Sequence, residues 1–127
     1  MPPVISIVDD DASVRAATNN LLSSRGYIVH TFASAGDFLQ SERLQDSSCV
    51  IADVQMPAMS GLDLLAHMRA QGNKTPFIFI TAFPDASVRA RALKAGAIGF
   101  LAKPFAGPDL IRYIETAIDL HGDKAGK

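Results

Sequence analysis

The residues in this chain best suited to chemistry are carboxylates at the ends of apolar runs. Asp9, Asp10 and Asp11 stand in a row after Val4–Val8, and Asp53 follows Val50-Ile51-Ala52. A β-branched run that closes on acids reads as a buried strand delivering carboxylates to a sheet edge. Adjacent carboxylates repel each other, and desolvating them is costly unless a cation neutralises them. Hard divalent cations such as Mg²⁺ take oxygen ligands, often one or two carboxylates with waters. The acid cluster therefore predicts a Mg²⁺ site. One Asp here could simply cap a helix, since Asp is a good N-cap and suits the positive helix end. Three in succession fit that role poorly.

Two more polar residues close apolar runs. Thr81 follows Phe77–Ile80, and Lys103, itself followed by Pro104, comes after Phe100-Leu101-Ala102. A carboxylate on the floor of a cleft beside a cation can attack a phosphoryl group and become an aspartyl phosphate. Phosphoryl transfer is catalysed mainly by positioning and by neutralising charge on the oxygens. Asp53 would be the nucleophile, and Mg²⁺ would bridge the carboxylates and one phosphoryl oxygen. Lys103 would pair with a second oxygen and Thr81 would donate to a third. Singly, Thr81 could be a local cap, Lys103 a surface lysine, and Asp53 a turn residue ahead of Met56-Pro57. A site is favoured because all of them fall at the same end of consecutive strands.

The elements that must position these groups are legible as alternating patterns. Strand-like runs recur at Val4–Val8, Ile28–Phe32, Cys49–Ala52, Phe77–Ile80 and Gly99–Ala102. A first helix carries Val14, Ala17 and Leu21 at i, i+3, i+7 and stops at Gly26. Ala35–Leu44 is a second helix candidate, and Gly61–Arg69 a third with Leu62, Leu65 and Met68 on one stripe. Asp85 caps a fourth, with Val88, Ala92 and Ala95 inward. The last starts at Pro108-Asp109 and carries Ile111, Ile114 and Ile118. Strict alternation of strand and helix means βαβ units and a parallel sheet. The expected fold is α/β: a three-layer, doubly wound, five-stranded parallel sheet of order 2-1-3-4-5. Ligands of such sheets bind beyond the carboxyl ends of the strands at a switch in strand order.

Bulk properties agree with one domain. The chain has 127 residues, 48% hydrophobic and 20% charged, enough for a core without disulfides. Residues 1–121 are expected to form the domain and 122–127 a polar tail or truncated linker. Cys49, the single cysteine, lies in an apolar stretch and reads as a buried small hydrophobe. The net charge of −1 argues against direct nucleic-acid binding. Without a signal or transmembrane run, the expected setting is the cytoplasm with no membrane contact. His30, His67 and His121 have no metal-ligand spacing and receive no role.

With these motifs, the sequence resembles the receiver domain of two-component response regulators, in particular the FixJ/NarL type, over residues 4–120. The resemblance rests on Val8-Asp9-Asp10-Asp11, the stretch Asp53-Val54-Gln55-Met56-Pro57-Ala58-Met59-Ser60-Gly61, then Ile80-Thr81-Ala82, Lys94-Ala95-Gly96-Ala97 and Lys103-Pro104-Phe105. It implies a CheY-like (flavodoxin-like) fold with Asp53 as phosphoacceptor. By the same resemblance Asp10 binds Mg²⁺ directly, Asp9 acts through water, and the backbone carbonyl of Gln55 completes the protein ligands. Thr81 and Lys103 contact the phosphoryl group, and Lys103-Pro104 is a cis peptide. Asp11 falls at a position that need not be acidic, so a capping or supporting role is expected.

The resemblance also implies a switch and partners. Phosphorylation would draw Thr81 inward and rotate Phe100, an aromatic that lacks the hydroxyl of a Tyr. The responding face would be the fourth helix, fifth strand and fifth helix, with Arg89, Arg91 and Lys94 on one helix and Arg112, Glu115 and Asp119 on the other. That face could support a phosphorylation-dependent homodimer or be a plain solvated surface. A sensor histidine kinase is the implied donor, docking on the first helix near Arg15, Asn19 and Asn20. A DNA-binding output domain, expected in this type, is not expected within this chain. One departure stands out: the loop after Thr81 reads Ala82-Phe83-Pro84-Asp85, and the bulk of Phe83 is expected to slow hydrolysis of the aspartyl phosphate.

Three other readings fit less well. A flavin-binding module needs a phosphate loop rich in Ser, Thr and Gly after the first strand, where three aspartates would repel the phosphate. A haloacid-dehalogenase-type phosphatase needs an acid two residues after the nucleophile, and Gln55 stands there. A phosphorylation-independent receiver-like interaction domain usually lacks the acids or the lysine, all present here. The expected protein is a signalling switch, not a turnover enzyme.

Overall fold

The computed structural model describes the backbone of residues 2–125 and the side chains of residues 2–120. The elements run β1 (Val4–Val8), α1 (Ala12–Ser24), β2 (Ile28–Phe32), α2 (Ala35–Leu39), α3 (Arg43–Asp46), β3 (Cys49–Asp53), α4 (Gly61–Ala70), β4 (Phe77–Thr81), α5 (Ala86–Lys94), β5 (Gly99–Ala102) and α6 (Gly107–Ala125). All neighbouring strands pair in parallel, in the order β2-β1-β3-β4-β5, as the alternating pattern predicts. The tail assigned to residues 122–127 lies outside the described side chains.

Both sheet faces are covered, so successive strand residues feed two cores. Val50 and Ala52 of β3, with Phe77 and Phe79 of β4, pack under Phe38, Leu64, Leu65, Met68 and Ala92. Cys49, Ile51, Ile78 and Ile80 face the other way, with Ile5 and Ile7, against Leu22 of α1 and Leu110, Ile114 and Ala117 of α6. Thus α1 and α6 cover one face, and α2, α4 and α5 the other. Burial pushes the Cys49 thiol up to about 12. Because the thiolate is the reactive form, a thiol reagent at pH 8 is expected to label Cys49 only in denaturant, as read by intact mass; prompt labelling of the native chain would contradict the burial.

Three expectations need correction. The helix read over Ala35–Leu44 is two short helices, α2 and α3. Ser41 separates them: its hydroxyl donates to the Phe38 carbonyl at 2.7 Å and accepts from the Arg43 N–H at 3.2 Å. A serine that bonds nearby backbone groups competes with the helical ladder. On α1, Thr18 and Leu22 are the buried residues while Ala17 is exposed. Ala95, expected to face inward, is the exposed C-cap of α5. On α1 the buried face is rotated relative to the apolar spacing, whereas on α5 the expected Val88 and Ala92 do pack on the core and Ala95 is exposed because the helix has ended. Gly26, at φ 90°, takes the left-handed turn that ends α1, as its glycine predicts.

Two strands run one residue past their apolar stretches. Asp53 is the last residue of β3, in register with Ile80, and Thr81 the last of β4, in register with Ala102. Both polar groups are therefore held by ladder pairing rather than by loops.

Candidate functional site

The carboxyl ends of β1, β3, β4 and β5 form one edge, and the three consecutive aspartates divide their work there. Asp9 is fully buried. Its Oδ1 accepts the Asp11 N–H at 2.9 Å, and its own N–H donates to the Phe32 carbonyl at 3.0 Å. Asp11 turns outward and caps α1, accepting from the N–H groups of Ser13 and Val14. The hydrogen bond from the Ser13 hydroxyl leads the contacts that lower its carboxyl below the usual range. Asp10, between them, is exposed.

Lys103 ties the edge together across the sheet. The Lys103 N–H donates to the Thr81 carbonyl at 2.8 Å, which places the lysine beyond the end of β4. Its Nζ lies 2.9 Å from Asp53 Oδ2 and 2.8 Å from Asp9 Oδ2. The first contact is a hydrogen bond, and the second is an ion pair to the fully buried Asp9. Burial holds the Asp9 carboxyl above its ordinary range, against the opposing pull of Lys103 and the Asp11 N–H. Burial pulls the Lys103 ammonium down, but its contacts with Asp9 and Asp53 outweigh this and hold it above its ordinary value. The Lys103–Pro104 peptide is cis, as expected.

Asp53 is 6% exposed, and its Oδ1 accepts the Gln55 N–H at 3.0 Å. Asp9, Asp10 and Asp53 each offer a ligand oxygen, and these atoms lie within 4.8 Å of one another. Such a cluster suits a hard cation, and the buried Asp9 Oδ2, met by the Lys103 ammonium, keeps acceptor capacity that a cation would use. The acidic cluster is thus consistent with a metal site. Above it lies a depression of about 390 Å³ lined by Asp10, Asp11, Asp53, Gln55, Ala82, Phe83 and Lys103.

Thr81 is fully buried, and its Oγ1 accepts the Phe83 N–H at 3.1 Å. That bond uses an acceptor position and leaves the hydroxyl proton free to donate. Phe83 itself is 68% exposed and lines, with Asp53, the depression above the acid cluster. Phe100 is 8% exposed and belongs to the core shared by α4 and α5. It also lines a cavity of about 230 Å³ with Pro84, Asp85, Ala86 and Arg89.

One participant escaped the sequence reading. Arg15, taken there as part of a docking helix, folds back and donates from Nη1 to the Asp9 carbonyl at 2.7 Å. The available signal was a cation in the early part of a helix, where the dipole disfavours it.

The chain matches the family model described as the response regulator receiver domain over residues 5–115. This chain belongs to the response regulator receiver family. The receiver is 41% identical to the transcriptional regulatory protein TdiR of Thauera aromatica over 97% of its own length and 54% of that relative. It is 40% identical to the transcriptional regulatory protein FixJ of Bradyrhizobium diazoefficiens, over 90% of its length and 56% of FixJ. Among solved structures, response regulator StyR superposes with a TM-score of 0.90 at 40% identity, covering 99% of the receiver and 64% of StyR. The receiver thus spans about half the length of the curated relatives it matches. Family and fold agree with the resemblance drawn from the motifs. Among the described residues of the receiver, no helix is long and apolar enough to cross a membrane.

Proposed function

We propose that the receiver accepts a phosphoryl group from a sensor histidine kinase onto Asp53 and thereby switches an output. The single observation that carries this is Lys103, whose Nζ stands within 2.9 Å of Asp53 and 2.8 Å of Asp9 at the strand ends. A carboxylate so held is pre-positioned as a nucleophile, and positioning is the larger part of phosphoryl-transfer catalysis. An Asp53 oxygen forms the new P–O bond while the P–N bond to the donor histidine breaks. Lys103 then exchanges part of its contact with Asp53 for a phosphoryl oxygen. Thr81, with its hydroxyl proton unspent, donates to another oxygen.

Asp9, Asp10 and Asp53 would hold Mg²⁺, with the Gln55 backbone carbonyl as a further ligand and Asp9 acting through water. When bound, Mg²⁺ supplies positive charge to the acid cluster and to the incoming phosphoryl oxygens. The residues fit such an ion because three carboxylates offer oxygens within 4.8 Å of one another, and the Lys103 ammonium is the one cation among the described residues that meets the buried Asp9 Oδ2. The same groups would promote hydrolysis, making both transfer and decay properties of the receiver itself.

The relatives TdiR and FixJ are named transcriptional regulatory proteins. A transcriptional output domain, in the portion of those relatives beyond the match, is the corresponding proposal here. Phe100 would be the switch residue, and α5, β5 and α6 the face that answers, through an output domain or a phosphorylation-dependent homodimer.

The test is intact mass after incubation with acetyl phosphate, with and without Mg²⁺. A Mg²⁺-dependent, hydrolysable gain of one phosphoryl group supports the proposal, and no gain on folded protein overturns it. The exposed position of Phe83 beside the acid cluster makes a second prediction. Phe83→Asn is expected to shorten the phosphorylated lifetime severalfold by opening the approach of water, as followed by mass during decay; an unchanged lifetime rejects the shielding role.

A further inference from the structure

We propose that Arg15 is a positioning residue that fixes the loop between β1 and α1 so that Asp9 and Asp10 face a divalent cation. The inference rests on the reading of the acid cluster as a Mg²⁺ site. Three observations lead to it. First, Arg15 Nη1 donates to the backbone carbonyl of Asp9 at 2.7 Å, although Arg15 lies on α1 six residues further along. Second, Arg15 is half-buried, while its helix neighbours Ala16 and Ala17 are exposed. Third, the first turn of α1 contains no acid to pair with a cation, and the positive helix end disfavours one. A guanidinium placed there needs a compensating contact, and the Asp9 carbonyl supplies it.

The consequence is a closed local frame. Asp11 is held from the helix side by its caps to Ser13 and Val14, and its own N–H holds Asp9 Oδ1. Arg15 then holds the other side of the Asp9 peptide. Asp10 sits between these ties as the exposed acid, with its backbone anchored before and after. Partners that orient metal ligands without touching the metal commonly govern affinity as strongly as the ligands permit.

The sign of the effect separates positioning from charge. A nearby guanidinium repels a divalent cation, so if its charge were what mattered, removing it would tighten Mg²⁺ binding. If Arg15 works by orienting the loop, its removal weakens binding. A role confined to kinase docking would leave binding of the free ion unchanged.

The experiment is calorimetric titration of the wild-type chain, Arg15→Met and Arg15→Lys with MgCl2, with thermal unfolding of each as a control. Both replacements keep an unbranched stem to pack on α1; should Arg15→Met fail to fold, Arg15→Gln takes its place in the same comparison. Arg15→Met is expected to weaken Mg²⁺ binding about tenfold, the lower end for lost support of metal ligands. Arg15→Lys, which keeps a donor and a charge, is expected to recover most of it. Equal or tighter binding by Arg15→Met overturns the proposal. A lysine variant as weak as the methionine variant assigns the loss to disturbed packing and overturns it too. Failure of the wild-type chain to bind Mg²⁺ would instead remove the metal-site reading beneath it.

Discussion

Asp53→Asn is expected to take up no phosphoryl group from acetyl phosphate under conditions that add about 80 Da to the wild-type chain. The substitution changes the nucleophile and little else. Asn has nearly the shape of Asp, so its side-chain oxygen can still accept from the Gln55 N–H or from Lys103, which reach Asp53 at 3.0 and 2.9 Å. A neutral amide, however, is a far weaker nucleophile than a carboxylate. Folding should not suffer, because Asp53 stands beside the buried Asp9, and the charge of Asp53 is one of the influences that raise the Asp9 carboxyl. Removing it relieves a like-charge contact, so the variant is expected to melt at or above the wild-type temperature. Loss of labelling with retained stability is the signature to look for. Equal labelling of the variant would place the acceptor elsewhere, and Asp10 would be the next acid to test.

The second large effect is expected at Gly61, the first residue of α4. A Cβ there would stand 2.4 Å from the Asp53 carbonyl oxygen and 3.0 Å from the Phe79 ring. The nearest obstacle is backbone, so no rotamer change relieves it. The Gly61 N–H also donates to the Val54 carbonyl at 2.9 Å, which clamps the helix start against the end of β3. Adding a methyl group must push α4 away from the sheet or displace Asp53. Gly61→Ala is therefore expected to cost about 2–3 kcal/mol, the upper range for overpacking, read as a lower urea midpoint with slower phosphoryl uptake. Gly36→Ala is the control: a Cβ there meets only the Ser34 hydroxyl at 3.9 Å, so its stability should be unchanged or slightly higher. A Gly61→Ala midpoint equal to wild type would contradict the close approach.

Much of the architecture was legible in the chain because it rests on local signals. The apolar runs marked all five strands, and their alternation with helical segments required parallel pairing, since a parallel connection needs a crossover. Asp9, Asp53, Thr81 and Lys103 could be placed at one edge because each follows such a run, and parallel strands all end on the same side. Gly26 and Asp85 announced helix boundaries through backbone geometry and capping, which act over a few residues. By contrast, Ser41 broke a candidate helix through its own hydrogen bonds, and Thr18 and Leu22 took the buried face of α1 because its packing on the sheet sets its rotation.

The tertiary structure decided which of three adjacent aspartates does what. Identical residue types carry no sign of their own burial; Asp9 is enclosed, Asp10 exposed and Asp11 a cap because the strand ends and the helix begins between them. The ion pairs of Lys103 join residues up to ninety-four positions apart in sequence, from Asp9 to Lys103, and exist only once β5 lies two strands away from β3. Arg15 shows the same division at short range: its type and position are written in the sequence, but its bond to the Asp9 carbonyl depends on the angle at which α1 leaves β1. Residue type and spacing thus determined the chemistry available to this chain, while the packing of helices on the sheet determined which atoms meet, since contact energies depend on distances that spacing alone cannot set.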